Sequence, residues 1–123
     1  MGVYDRLEEP GLDPVSFQDF LRVEIRSGTI ARAERFPEAR KPAYKLWVDL
    51  GPELKVKTAS AQLTSHYSPE QLVGKQVVAV VNFPPKQVAN FVSEVLVLGL
   101  PDENGDIVLV QPERRIPDGV RLF

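Results

Sequence analysis

An all-β fold is predicted for this chain, and three observations in its 123 residues predict it. Apolar and polar residues alternate in "RVEIR", "YKLWVDLG" and "LKVKTASA", the period of half-buried strands. Two further runs, "QVVAVVNF" and "SEVLVLGL", are almost wholly apolar, as core strands are. Helical patterning is confined to two short segments, one N-terminal and one between the third and fourth strands, so the βαβ alternation of a parallel sheet is missing. A bent first strand and a helix between strands three and four point to a Greek-key β-barrel of the OB-fold type with short helices.

The first helix is expected in "VSFQDFLRVEI", where Val15, Phe17, Phe20 and Leu21 share a face, with Asp13 as cap and Pro14 at the helix start. Alternation takes over at Arg22. Its apolar parity flips between Ile25 and Ile30, and Gly28 at the flip reads as a β-bulge in a long strand. Pro37 and Pro42 end that strand and leave Arg40 and Lys41 in a loop. "GPE" reads as the turn between the second and third strands, and Trp47 on the second is expected in the core. Ser68, Pro69 and Glu70 suit the cap and first turn of the second helix, which Gly74 closes. "QVVAVVNF" and "SEVLVLGL" read as the fourth and fifth barrel strands, "PDENGD" as a solvated turn, and "IVLVQP" as a last short strand. Residues 1–14 read as an extension and residues 15–123 as one domain.

Composition narrows the function. No apolar run of membrane-spanning length occurs, and the acidic N-terminal stretch carries no secretory core, so a cytoplasmic location is expected. Without cysteine, disulfides and thiolate chemistry are excluded. The formal net charge of -2 hides a basic stretch, because residues 22–57 hold nine bases against five acids. An anionic partner would meet one face and not the average charge, although Arg and Glu alternating on a solvated sheet face leave the same trace.

No catalytic constellation assembles. The single histidine, His66, has neither a nucleophile elbow nor metal-ligand spacing around it and reads as a surface residue. No carboxylate pair has acid–base spacing, and "DENGD" lacks the calcium-loop pattern. No metal or cofactor is expected; the chain reads as a binder.

Its candidate surfaces are two. "KTASAQLTS" ends a strand in small, hydroxyl-bearing residues. "NFPPKQVANFVSE" joins two apolar runs with amides, prolines that stiffen it, Lys86, and two rings that a solvated linker does not need. Phe83 and Phe91 suit stacking on bases or gripping of apolar peptide side chains, or else simply close the barrel end.

At these residues a family resemblance enters. "VEIRSGTIARAERFPEARKPAYKLWVDLG", "SAQLTSHY", "VVAVVNFPPKQVANFVSEVLVLG" and "VLVQPERRIPDGVRLF" together resemble the CsaA group of the tRNA-binding-domain family, over nearly the whole chain. Related domains are appended to methionyl-tRNA synthetases and form part of the phenylalanyl-tRNA synthetase β-subunit. They share the first-strand pattern that is Arg26, Gly28 and Ile30 here. The resemblance implies an OB-fold, a homodimer, tRNA binding and a chaperone role in protein export. It implies a ligand-binding rim of Ser60, Gln62, Asn82, Lys86, Ser93 and Glu94, flanked by Arg40 and Lys41; Phe83 and Phe91, read above from their own chemistry, fall in the same stretch. It implies a subunit interface of Val15, Phe17, Phe20 and Leu21 with Leu122 and Phe123. Many synthetase-attached relatives carry Ser-Gly where this chain has Ser60-Ala61.

Two functions follow as expectations. One is a non-enzymatic binder of tRNA or other structured RNA with an associated peptide-binding role in export. The alternative is primarily a dimeric chaperone for unfolded or export-bound polypeptides, with RNA binding incidental.

Overall fold

The computed structural model describes residues 12–123, and residues 1–11 of the extension lie outside that range. Its barrel is built from the long strand β1 (Ile25–Arg35), which pairs antiparallel with β4 (Gln76–Val80) through its first half and with β2 (Tyr44–Asp49) through its second. β2 pairs with β3 (Val56–Ala61), and β4 pairs with β7 (Leu96–Val97), giving the order β3-β2-β1-β4-β7. The Glu94 and Val95 amides donate to Thr58 O at 2.8 and 3.1 Å, joining the residues before β7 to β3. The sheet thereby closes on itself, and the all-β, OB-type prediction holds. Inward-facing Ile30, Leu46, Leu50 and Val77 are fully buried. The helix α3 (Pro69–Leu72) adds Leu72 to this core, fully buried too. Ser68 caps α3, as its sequence predicts, and the structure adds a reciprocal bond pair with Gln71.

Several local expectations change. The helix α1 (Phe17–Arg22) starts at Ser16, whose Oγ accepts from the Asp19 amide at 3.0 Å, and not at Asp13 and Pro14. A hydroxyl three residues before an amide inside the helix is a better cap than a carboxylate outside it. "GPE" forms a helical turn, α2 (Gly51–Leu54), so a third short helix lies between β2 and β3. The run "SEVLVLGL" is not one strand. Its residues are shared among β6 (Phe91–Ser93), β7 and β8 (Gly99–Pro101), and β8 leaves the barrel to pair with β9 (Ile107–Leu109). The segment ahead of it is an ordered hairpin, because β5 (Lys86–Val88) pairs with β6.

The predicted bulge also moves. Gly28 stays in register with Val77, and the shift against β2 falls between Ile30 and Arg32, at Ala31. Gly28 serves close packing: a Cβ there would sit 2.7 Å from side-chain atoms of both Val48 and Leu50. The parity flip has another cause, a second cover on β1. The C-terminal segment straps over it, with Ser27 N donating to Val120 O at 2.9 Å and Ser27 Oγ donating to Pro117 O at 2.8 Å. Ser27 is buried beneath that strap.

Candidate nucleic-acid interface

The bulge at Ala31 decides what the outer face of the barrel displays. Ile30 points into the core; without an extra residue, Arg32 would follow it. With Ala31 inserted, Ala33 pairs with inward Leu46, and Arg32 pairs with Trp47. β2 alternates strictly, with Tyr44, Leu46 and Val48 buried and Lys45, Trp47 and Asp49 on the outside. Trp47 is therefore an outer-face residue, contrary to its expected core position.

Register extends this face into two rows. Arg32 lies beside Trp47, and Trp47 beside Thr58; Glu34 lies beside Lys45, and Lys45 beside Ser60. The Arg32 guanidinium sits 4.5 Å from the Trp47 ring centroid. Phe91 meets Trp47 edge-on at 5.6 Å and Phe36 at 5.7 Å between centroids. The Lys45 ammonium is 5.6 Å from the Phe36 ring and 5.8 Å from the Phe91 ring. Glu34 pairs with both Arg32 and Lys45, so this patch of three rings carries one net positive charge. Phe36 is itself buried, so the stacking area beside these cations comes from the partly exposed Trp47 and Phe91.

The β5–β6 hairpin holds part of the anticipated rim against these rows. Ser93 Oγ accepts from the Ser60 amide at 2.9 Å. Glu94 Oε1 accepts from the Thr58 amide at 3.0 Å and lies 2.9 Å from Thr58 Oγ1. The backbone bond to Thr58 holds the Glu94 carboxyl below its ordinary range, against the opposing effect of burial. Lys86 is paired with Ser93 in register and exposed. Ser60, Lys86, Phe91, Ser93 and Glu94 thus come together. Ser93 and Glu94 already spend their side chains on β3, and Phe91 on its neighbouring rings.

Asn82 is engaged away from these rows. Asn82 Oδ1 accepts from the Glu24 amide at 2.9 Å and its Nδ2 donates to Arg22 O at 2.8 Å, locking the α1–β1 junction. Phe83 is 49% exposed, and Gln62, Arg40 and Lys41 are exposed. Ala61 pairs with Tyr44 as an ordinary strand residue, with no positive φ. The expected interface residues Val15, Phe17, Leu21, Leu122 and Phe123 are all exposed, with Phe20 partly so, and α1 buries no residue. Leu122 N donates to Ile25 O, and an Arg121 guanidinium nitrogen donates to Leu21 O, so the tail runs beside the helix end. Sequence reasoning missed Arg32, Phe36, Lys45 and Trp47; alternation on β2, read strictly, marks two of them.

His66 is exposed and pairs with the β8–β9 turn, its Nε2 lying 2.7 Å from Asp102 Oδ2. Asp102 Oδ1 accepts from the amides of Asn104 and Asp106 at 2.9 and 3.0 Å. The His66 bond, then these amides, hold the Asp102 carboxyl below its ordinary range. This contact ties the segment before α3 to a hairpin outside the barrel.

Comparison with known proteins places this geometry. Residues 25–121 match the family model described as "Putative tRNA binding domain". The chaperone CsaA of Bacillus anthracis (strain Ames) is 53% identical, with a TM-score of 0.84 over 90% of this chain and 100% of that one. The CsaA chaperone protein of Picrophilus torridus is 43% identical, with a TM-score of 0.83 over 89% and 100%. The methionine–tRNA ligase of Porphyromonas gingivalis (strain W83) is 34% identical over 113 residues, 92% of this chain. The chain spans 16% of that ligase's length.

Proposed function

The chain belongs to the tRNA-binding-domain family, and from that premise we propose that it binds tRNA or another structured RNA through the outer face of β1–β3 and the adjoining β5–β6 hairpin, without catalysis. The observation that carries this reading is the cation-bearing aromatic patch: Arg32 over Trp47, and Lys45 between Phe36 and Phe91. Arg40 and Lys41 in the exposed loop and Lys86 on the hairpin supply further phosphate contacts. The working unit is a homodimer joined through α1 and the C-terminal tail, acting in the cytoplasm. Among the described residues no helix is long and apolar enough to cross a membrane. Titration with tRNA at two salt concentrations tests the reading. Affinity is expected to fall by roughly one log unit per log[salt] for each phosphate neutralised. Binding indifferent to salt, or absent at low salt, rules it out.

A second reading, binding of unfolded or export-bound polypeptides, is favoured by the two chaperone-named neighbours and by Phe83, 49% exposed on the rim. It expects the protein to slow aggregation of an unfolded client, and Phe83→Ala to weaken this more than Lys86→Ala. The reverse order counts against it.

A further inference from the structure

We propose that Arg32 and Trp47 form a stacking shelf for an unpaired RNA base, so that the ligand presents single-stranded nucleotides to this face in place of continuous duplex. The proposal rests on the RNA-binding reading and specifies its ligand.

Three features build the shelf. The guanidinium lies over the Trp47 ring at 4.5 Å, yet the Arg32 side chain is 63% exposed, so its outer surface is open. The pair with Glu34 and the indole beneath hold the guanidinium in place, which lowers the entropic cost of ordering it under a ligand. Trp47 is itself buttressed, because Phe91 meets it edge-on and Phe36 in turn meets Phe91. A planar, weakly hydrated cation fixed over an aromatic ring matches the π-face of a base, which single strands expose and stacked duplexes hide.

Charge points the same way. Duplex tracking relies on many phosphate contacts, but Glu34 neutralises one of the two cations on this patch. With one net positive charge at the shelf, affinity there has to come from stacking, and Lys45 serves one neighbouring phosphate.

Trp47 is the chain's only tryptophan, so its fluorescence reports the shelf alone. The probes are a single-stranded RNA of about eight nucleotides and the same strand annealed to its complement. The single strand is expected to bind at least about tenfold tighter and to shift the Trp47 emission. Arg32→Lys keeps the charge but loses the plane, and is expected to weaken the single strand by roughly five- to hundredfold with the salt slope unchanged. Trp47→Leu, checked for unchanged denaturant unfolding, is expected to do the same. Lys45→Gln is expected to lower the salt slope by about one while the emission still shifts. Duplex binding as tight as the single strand, or an Arg32→Lys protein that binds like the wild type, overturns the shelf and leaves RNA binding standing. No binding of either probe or of tRNA at low salt removes both. An emission shift produced by an unfolded polypeptide and by neither RNA also overturns it.

Discussion

Glu94 accepts a hydrogen bond from the Thr58 amide at 3.0 Å, and this carboxylate fastens the rim hairpin to β3 of the barrel. Its carboxyl is held below the ordinary value of 4.5 by that bond. A depressed folded value means the ionised form is favoured in the native state. The stabilisation is complete above the ordinary glutamate range and is lost as pH falls through the depressed folded value. Denaturant unfolding of wild type and Glu94→Gln is expected to differ most near neutral pH and to converge under acid. A gap that widens on acidification contradicts this sign.

Asn82 bridges Glu24 N and Arg22 O, so it sets the angle at which α1 leaves the barrel. Asn82→Ala is expected to cost about 1–2 kcal/mol in denaturant unfolding. Asn82→Asp keeps the acceptor for Glu24 but sets a carboxylate oxygen against Arg22 O, and a loss at least as large is expected in the same measurement.

Gly28 leaves no room for a methyl group, with Val48 and Leu50 atoms 2.7 Å from the position of a Cβ. Gly28→Ala is expected to destabilise the barrel by about 1–3 kcal/mol through overpacking. A neutral result in thermal unfolding would show that β1 shifts freely against β2.

Ala89, in the turn between β5 and β6, has φ of 49°, a region that strains a side chain. Ala89→Gly is expected to gain about 1 kcal/mol, read as a rise in melting temperature. The same variant also tests whether rim order limits RNA binding, because affinity should then change without any change in charge.

Phe17 and Phe123 are 68% and 104% exposed, so replacing them leaves the protomer core untouched. Sedimentation is expected to show a dimer for the wild type and a monomer for Phe17→Ser combined with Phe123→Ser, with protomer unfolding unchanged. A wild type that stays monomeric at high micromolar concentration removes the dimer.

The sequence by itself determined the barrel: alternation on β2 and β3, the capped α3 and the apolar runs each dictate a local outcome through period and capping chemistry. It also marked the segment after β4 as unusual, because rings and amides do not collect in a mere linker. Long-range cover lay beyond it. The parity at Ser27 depends on a strap from residues 117–122, and the division of "SEVLVLGL" depends on which neighbour each part finds. The conversion of Asn82, Ser93 and Glu94 into clamps also needed partners distant in the chain. Only the tertiary structure decided that Ala31 carries the bulge. That one inserted residue turns Arg32 outward onto Trp47, because a strand's side chains change face with every residue added.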